Sequence, residues 1–290
     1  MKFINFILML NLCLSQVTFG FLNVPNNSRS IGLNNVGVAS SSKYLTVNPA
    51  SIQVKKDQYS FNFVLFPANI KMSGISFIKS FETNIFFSQI RNINYGVLSD
   101  DTNNLRFSAS DLSFELGHKF ELKKIISIGY SLGYIRSHIF NYSSSGLYAN
   151  IGLKINIIND RFALGSMINN LGFQINSYVN KNELLPTSIR NGVTYKPLYL
   201  PVILYLDIIN LKNDKQNKVC FGIEFFLNDK SSIYCSMASD KNDLDTGEYY
   251  KDIFNKIGFG FDIKMRKMSY NLSIKNLGPL GLVYGFSVTM

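Results

Sequence analysis

The chain has no tryptophan and only two histidines, and charged residues make up 17% of its 290 residues. It contains no Cys-x-x-Cys or His-Glu-x-x-His pattern. A hydrolase needs a base beside its nucleophile or a metal held by several ligands, and so scarce a supply of histidine disfavours both. The sequence therefore predicts a protein that is not an enzyme, with no catalytic residue, no cofactor and no metal site.

Long apolar runs are also missing. After the first 20 positions, no stretch of about 18 uncharged apolar residues occurs, which excludes helical membrane spans. Yet 46% of the chain is hydrophobic, with 16 Tyr and 24 Phe, and such a chain is too apolar to be disordered. A soluble all-β protein and a β-barrel remain.

Residues 1–20 have the layout of a secretory signal peptide. Lys2 supplies a positive start, Phe3 to Leu14 are mostly apolar, and the stretch ends in the small residue Gly20. We expect this segment to be cleaved, which places the mature protein outside the cytoplasm.

Three cysteines are present, and Cys13 would leave with the signal peptide. Alternation in the surrounding sequence puts Cys220 on the polar face of its strand and Cys235 on the apolar face of the next. Side chains on opposite faces of a sheet do not reach disulfide geometry. We predict two reduced thiols.

From residue 57 onward, apolar and polar residues alternate with the period of two that predicts β-strands. One face carries Phe, Ile, Leu, Val and Tyr, and the other carries Ser, Asn, Gly, Lys and Asp. Many runs reach the roughly 10 residues that cross a bilayer at a tilt. The predicted strands number about fourteen and lie near 58–65, 70–79, 81–90, 106–119, 124–137, 147–157, 161–170, 187–196, 200–210, 217–227, 231–239, 257–265, 267–276 and 280–290.

Alternation alone does not separate a soluble sandwich from a membrane barrel, because both have one apolar and one polar face. The long strands and the predicted export favour the membrane. The links support this choice with tight turns at 67–69, 159–160 and 228–230, and longer, outward-facing polar loops at 91–105, 138–145, 171–186 and 240–255. We predict an all-β fold, a transmembrane antiparallel β-barrel formed by 57–290.

A membrane barrel leaves no unpaired strand edge, so its last residues should form a strand. The final run alternates up to Met290. Gly285, Phe286, Val288 and Met290 fit the spacing of the C-terminal signal read by the barrel-assembly machinery, with Met290 in place of the usual aromatic residue. We predict that machinery as a partner.

Several short motifs follow one another in the order found in a known family. They are Phe21-Leu22-Asn23-Val24-Pro25, Ser28-Arg29, Gly32-Leu33, Asn48-Pro49-Ala50, Asn170-Leu171-Gly172, Leu185-Pro186, Arg190, Gly192-Val193, Leu277-Gly278 and Leu280-Gly281-Leu282. Together these motifs resemble the PorV/PorQ family of outer-membrane barrels, relatives of the FadL-type fatty-acid transporters. The resemblance implies a fourteen-stranded barrel whose N-terminal segment, 21–56, enters or caps the lumen. One departure is Asn34-Asn35, where the family has a glycine pair.

Within the predicted plug, Arg29 would lie in the lumen and pair with inward acids such as Asp111, Glu115 or Asp262. Two roles remain open for Arg29, anchoring the plug or lining a substrate path. Pro49 lacks a backbone N–H and biases the preceding residue toward extended backbone, which suits a turn before a strand.

On the barrel strands, Arg190 and Lys196 share a face with Gly192 and Thr194, and we predict that this face lines the lumen. His118 lies on the apolar face of its strand, as expected at the membrane interface. His138 is predicted at a solvated strand end. Two polar stretches, Asp100-Asp101 and 240–243, are interpreted as solvated loops, with a loop Ca²⁺ site as the alternative.

The net charge is +10 at pH 7. The lysines are scattered and form no basic helix or stripe, so nucleic acid is not expected as a partner. Basic residues at a barrel rim contact lipid phosphates, and outer-membrane lipids are the expected partners.

Two functions follow for an outer-membrane barrel of this kind. The resemblance implies a non-enzymatic component of, or accessory to, type IX protein secretion and surface attachment, with secretion proteins or exported cargo as partners. The alternative is a FadL-like channel for hydrophobic small molecules. This channel predicts an apolar pocket in the lumen, a movable plug and a lateral gap in the wall.

Overall fold

The computed structural model describes residues 19–100, 105–122, 125–158, 161–179, 183–212, 217–239 and 255–290. Fourteen strands form one closed antiparallel barrel, in which each strand pairs with its neighbours in sequence and β14 pairs with β1. This confirms the predicted all-β barrel. The strands are β1 (Gln58–Leu65), β2 (Lys71–Phe81), β3 (Asn84–Asp100), β4 (Leu105–Leu122), β5 (Ile126–Ile139), β6 (Tyr142–Ile158), β7 (Phe162–Asn176), β8 (Ser188–Tyr195), β9 (Val202–Leu211), β10 (Asn217–Asn228), β11 (Ser231–Ala238), β12 (Gly258–Met265), β13 (Met268–Asn276) and β14 (Leu282–Thr289).

Helices are few and short. Helix α1 (Ser28–Gly32) precedes the barrel, and its N-cap Asn27 accepts a hydrogen bond from the backbone N–H of Ser30 at 2.9 Å. Turns of 3₁₀ helix lie at Gly20–Asn23, Pro49–Ser51, Pro67–Asn69 and Gly278–Leu280. In the described part of the chain, no helix has the length and apolar character needed to cross a membrane.

The two faces of the wall differ as the alternation predicts. In β1, Phe61 and Phe63 point outward with nearly half of their surface exposed, whereas Asn62 and Val64 are buried in the lumen. The same division repeats around the barrel. A continuous band of exposed Phe, Leu, Ile and Tyr is far larger than the apolar patches that water-soluble monomers carry. The outer face therefore faces lipid, and the polar face lines the lumen.

The barrel has two distinct ends. The end at which β1 joins β2 and β13 joins β14 is called the loop end. At the opposite end, called the turn end, several links are tight, including Glu82-Thr83, Asp229-Lys230 and Arg266-Lys267. The predicted longer links at 91–105, 138–145, 171–186 and 240–255 all fall at the loop end.

Three of those predicted loops are too long, because the strands continue into them. β3 runs to Asp100, β6 begins at Tyr142, and β7 runs to Asn176. The reason in β3 and β7 is a β-bulge, marked by register shifts between Asn94 and Val97 and between Ala149 and Ile151. An extra residue exchanges the inward and outward faces of the residues that follow it, so the alternation is interrupted although the strand continues. The 240–254 part of the fourth loop lies outside the described residues.

The cysteines lie as predicted. Cys220 is fully buried on the lumen side of β10, while Cys235 is on the outer face of β11 and partly exposed. Neither forms a disulfide.

Candidate functional site

The predicted plug, residues 21–56, lies in the lumen of the barrel. At the loop end, Phe21 and Leu22 pack with wall residues such as Val64 and Val283. At the turn end, Ile52 packs with wall residues from β2 and β3 in a second cluster. The segment thus crosses the lumen from one end to the other before it joins β1. Phe19 packs in the same cluster as Phe21 and Leu22, whereas Gly20 is exposed, and cleavage after Gly20 remains a prediction.

Arg29 makes the central ionic contact between the plug and the wall. Its guanidinium donates to both carboxylate oxygens of Glu224, at 3.0 and 2.5 Å, and lies 4.0 Å from Asp262. Tyr205 and Ser232 donate to the same Glu224 carboxylate, each at 2.7 Å. Burial alone would lower the pKa of Arg29, but the Glu224 carboxylate, together with the neighbouring Tyr205 and Tyr234, outweighs it and holds this pKa above its usual value. A bidentate pair with further donors is the arrangement that offsets the cost of burying two charges.

A second group of polar contacts between the plug and the wall is centred on Asp262, one of the acids predicted as a partner of Arg29. The Tyr44 hydroxyl donates to Asp262 at 2.6 Å, and the half-exposed Lys43 ammonium lies 3.1 Å from the same oxygen. Burial, followed by the neighbouring carboxylate, raises the pKa of Tyr44. The phenol therefore stays protonated and acts as a donor.

The other two predicted acids do not meet Arg29. Asp111 accepts from the Tyr95 hydroxyl at 2.7 Å, and Glu115 accepts from the Asn150 amide at 3.0 Å. Both point into the lumen as expected, but they lie in β4, on the other side of the barrel from β10 and β12. Glu224 was missed as the main partner, although alternation already placed it on the lumen face.

Asp207 is a further plug contact that the sequence analysis missed. Its carboxylate accepts the backbone N–H groups of Gly37 and Val38 at 2.8 and 3.0 Å. Gly37 has φ +112°, a backbone conformation that favours glycine, and this turns both N–H groups toward one oxygen. Arg190 of β8 donates to the carbonyl of Asn35 at 3.3 Å. The predicted lumen position of Arg190 is thus observed, whereas Lys196 lies beyond the end of β8 and is exposed.

The Asn48-Pro49-Ala50 motif forms the turn-end bend of the plug. The Asn48 side chain accepts from the backbone N–H of Ala50 at 2.9 Å and donates to the carbonyl of Val38 at 2.6 Å. It also donates to the carbonyl of Leu153 in β6 at 3.3 Å. The motif therefore fixes its own turn, ties two parts of the plug together and binds the wall.

Glycines make room for the plug on the inner wall. A Cβ atom on Gly129 would meet the backbone of Pro49 and Ala50, and one on Gly165 or Gly192 would meet Val38. Only glycine lets the plug lie this close to the strands. Gly192 is thus a position in the wall at which the absence of a side chain leaves space for Val38 of the plug.

The Asn34-Asn35 departure also has a physical explanation. Both residues have positive φ, +50° and +60°, in the left-handed region where asparagine is the best substitute for glycine. Unlike glycine, Asn34 also offers a side-chain amide, which donates to Ser236 at 3.0 Å and to the carbonyl of Lys256 at 2.6 Å.

The Asn170-Leu171-Gly172 motif forms the bulge in β7. Asn170 has φ +55°, and its amide donates to Asn23 of the plug and to the carbonyl of Pro186, each at 3.1 Å. A Cβ atom on Gly172 would overlap the Leu147 carbonyl of β6. The motif therefore joins the wall, the plug tip and the link that leads to β8.

At β5 to β7, beside this bulge, apolar side chains lie on both faces of the wall, although polar groups such as Glu115 and Asn150 are also present on the lumen side. Tyr148 lies on the lumen side, packed with Phe21 and Leu22, and covers Gly133 of the neighbouring strand. On the lipid side, a groove of about 660 Å³ lies over the same strands. Its lining includes Phe114, Leu132, Tyr134, Leu147, Leu171 and Phe173.

A separate cavity of about 280 Å³ lies at the turn end between the plug and β9 to β12. Its walls include the charged groups Arg29, Glu224 and Asp262, together with the apolar side chains of Leu33 and Val36. A smaller cavity of about 30 Å³ lies between the plug and Arg91, Glu115 and Asn150. Buried Ser, Asn and Lys side chains line much of the remaining lumen wall.

No protein-family model matches the sequence, and no curated protein matches it. Solved barrels do match the structure. The TodX deltaS2S3 mutant monoaromatic hydrocarbon channel superposes with a TM-score of 0.63 and 11% identity, over 92% of this chain and 98% of that one. The fold is that of the FadL-like outer-membrane barrels.

Two further structures share this FadL-like fold. The CymD monoaromatic hydrocarbon channel has a TM-score of 0.62 and 11% identity, covering 91% of this chain and 96% of that one. A Pseudomonas aeruginosa FadL homologue has a TM-score of 0.57 and 9% identity, covering 92% and 98%. At these identities the likeness establishes the fold.

The histidines of this FadL-like barrel lie at its surface. His118 points outward near the turn end, stacks on Phe86 with ring centroids 4.4 Å apart, and bonds to Asn84 at 2.9 Å. His138 is exposed toward the loop end. These positions agree with the predicted interfacial and solvated placements.

The run Gly129-Tyr130-Ser131-Leu132-Gly133 has the Gly-x-Ser-x-Gly spacing of a hydrolase motif, which the sequence analysis overlooked. It lies in the middle of β5 and not at the strand-to-helix turn that such a nucleophile requires. Ser131 is buried and accepts a hydrogen bond from Asn150 at 3.0 Å. His118 is paired with the adjacent Tyr130, but its ring lies on the outer face of the wall, whereas Ser131 faces the lumen. Neither histidine therefore reaches this serine from the same face, and its contacts are structural.

Among the described residues, no group of three or more His, Cys, Asp or Glu is placed to hold a metal ion. Asp101 and 240–243, the alternative loop Ca²⁺ ligands, lie outside the described residues.

The predicted assembly signal lies in β14, which closes the barrel. Phe286, Val288 and Met290 lie on the outer face, and Gly285 faces the lumen directly beneath Ser28 of the plug. Recognition of these residues by the assembly machinery stays a prediction.

Proposed function

We propose that the chain is a non-enzymatic outer-membrane channel for hydrophobic small molecules, with 21–56 as its movable plug. The observation that carries this proposal is the presence of apolar side chains on both faces of the wall at β5 to β7. An apolar plug tip and an apolar lipid-facing groove lie on either side of strands that carry glycine at Gly133 and Gly172. The fold shared with structures described as hydrocarbon channels supports the same function.

The route must be short, because most of the lumen is polar. A hydrophobic molecule is repelled by the buried Ser, Asn and Lys side chains that line the remaining length of the barrel. At the loop end, by contrast, displacement of Phe21 and Leu22 would vacate an apolar space next to Tyr148. The closed pairing of the described strands provides no lateral gap. Passage therefore requires movement of the plug tip and of Tyr148, and also local separation of β6 and β7 at the bulge, where their pairing is already interrupted.

Locking the plug to the wall should abolish uptake. The hydroxyls of Ser28 and Ser273 lie 3.0 Å apart, so a Ser28→Cys/Ser273→Cys pair places two thiols across the plug–wall contact. Cys220 and Cys235 are replaced by serine to prevent mispairing. In proteoliposomes, we expect uptake of a fluorescent fatty acid and of toluene by the reduced protein, and uptake at the protein-free rate after oxidation.

The same cysteine-less protein without the new pair, treated with the same oxidant, is the control. Uptake by the reduced protein no faster than in empty vesicles would contradict the channel function. Equal uptake by the oxidised and reduced forms would show that α1 need not leave the wall and would contradict a mechanism that displaces the plug beyond its tip at Phe21 and Leu22.

A second function rests on how firmly the plug is held. Contacts from Glu224, Asp207 and Asn48 span its length, which supports a barrel that stays plugged and serves as a platform, as in the PorV/PorQ-type secretion role. Its partners would be type IX secretion proteins or exported cargo. Co-purification with such proteins from cells that carry the locked variant, together with normal export, would favour this function over the channel.

A further inference from the structure

The link between β8 and β9 is unlike the other described links at the turn end. It reads Lys196-Pro197-Leu198-Tyr199-Leu200-Pro201, whereas Glu82-Thr83, Asp229-Lys230 and Arg266-Lys267 are polar. Tyr199 has 91% of its surface exposed, and Leu198 and Leu200 each have 59% exposed. Three large apolar side chains are thus presented together beyond the ends of their strands.

This link is held close to the membrane-facing wall at both of its ends. The backbone N–H of Lys196 donates to the carbonyl of Arg161 at 2.7 Å, and the N–H of Phe226 donates to the carbonyl of Pro201 at 2.8 Å. The preceding residue, Tyr195, is outward-facing and forms an edge-to-face pair with Phe162, with ring centroids 6.5 Å apart. The apolar link therefore continues the lipid-facing surface of the barrel at its turn-end edge.

The composition of the link suits the boundary between lipid tails and headgroups. Leucine prefers the hydrocarbon side of this boundary, and tyrosine is enriched there because its ring is apolar and its hydroxyl polar. The prolines restrict the backbone and remove two N–H donors that would otherwise need partners. Lys196, which is exposed, and the neighbouring Arg161 provide positive charge beside the apolar residues, where lipid phosphates lie.

We propose that 196–201 is a membrane-surface anchor, in which Leu198, Tyr199 and Leu200 insert into the phospholipid leaflet at the turn end while Lys196 and Arg161 contact its phosphates. The occupant of this apolar surface is lipid, because the link is continuous with the lipid-facing wall. The anchor would hold the barrel at a defined depth and tilt. It does not depend on whether the barrel acts as a channel or as a platform.

The absence of tryptophan makes a direct test possible, because one introduced tryptophan is then the sole indole in the protein. Three single-site variants of the full protein are compared in liposomes. Tyr199→Trp reports on the link, Phe221→Trp on the lipid-facing side of β10, and Lys230→Trp on a polar turn at the same end. Each is measured in ordinary phospholipid, in phospholipid brominated on its acyl chains near the headgroup, and with acrylamide in the water.

We expect brominated lipid to quench Tyr199→Trp strongly and acrylamide to quench it weakly, as for Phe221→Trp. Lys230→Trp should show the reverse. Emission from Tyr199→Trp that is insensitive to bromine and as accessible to acrylamide as Lys230→Trp would overturn the anchor and leave the link available to a protein partner. Heat-modifiable gel migration of each variant verifies that the barrel is folded.

Discussion

In a Glu224→Gln variant, the plug is expected to leave the lumen far more often than in the unmodified protein. The substitution keeps the size of the side chain but removes the charge that faces Arg29. Breaking one side of a buried pair typically costs about 3–5 kcal/mol. We expect roughly 3 kcal/mol here, near the lower end, because Asp262 is 4.0 Å from the guanidinium and retains part of the compensation.

Cys220 provides the measurement without any added probe. It is fully buried and packs in one cluster with Leu33 and Val36 of the plug, so a bulky water-soluble maleimide reaches it only when the plug moves. In a Cys235→Ser background, Cys220 is the single barrel thiol. Because each 1.4 kcal/mol changes an equilibrium tenfold, its labelling rate should rise about 100-fold in the Glu224→Gln variant.

Two controls separate the ion pair from other effects. Glu82→Gln removes a carboxylate from an exposed turn and should leave the labelling rate unchanged. Arg29→Met combined with Glu224→Gln removes both charges, so no unpaired charge is buried and labelling should be slower than in the single variant. A wild-type rate in Glu224→Gln would mean that the Arg29–Glu224 pair does not hold the plug.

Gly129→Ala should displace the plug by a different route. The new Cβ atom would lie 2.5 Å from the carbonyl carbon of Pro49 and 2.9 Å from its Cβ, and neither is the end of a flexible side chain. Overpacking of this kind typically costs about 1–3 kcal/mol, and we expect the upper part of that range because the plug backbone itself must move. The expected results are faster labelling of Cys220 and a lower temperature for the heat-modifiable gel shift.

Gly74→Ala is the matched control. Gly74 also faces the lumen side of its strand, but its nearest neighbours are wall atoms at 3.3 and 3.4 Å, and none of them belongs to the plug. The same change of one methyl group should therefore alter neither labelling nor heat stability appreciably. Equal behaviour of the two alanine variants would indicate that the plug does not rest on the glycines of the wall.

The alternation of side chains predicted much of this architecture. A period of two divides each strand into an apolar and a polar face, whatever lies on either side of the sheet. The sequence alone therefore predicted about fourteen strands, the lumen positions of Arg190 and Glu224, and the opposite faces of Cys220 and Cys235. Alternation failed at the bulges of β3 and β7. There, one extra residue interrupts the pattern while the hydrogen-bonded strand continues.

Partners across the lumen could not be predicted in this way. Arg29 and Glu224 are 195 positions apart, and local sequence carries no information on which of several inward acids will face a given plug residue. That choice depends on the closure of the barrel, which brings β11 to β14 around α1, and on glycines that admit the plug backbone at particular places. The amino-acid pattern therefore specified a barrel with a polar interior, because the face on which a side chain lies depends only on its position along its own strand. Pairing of the plug with Glu224, Asp207 and Asp262 required the closed barrel, because it depends on distances that exist only after the first and last strands meet.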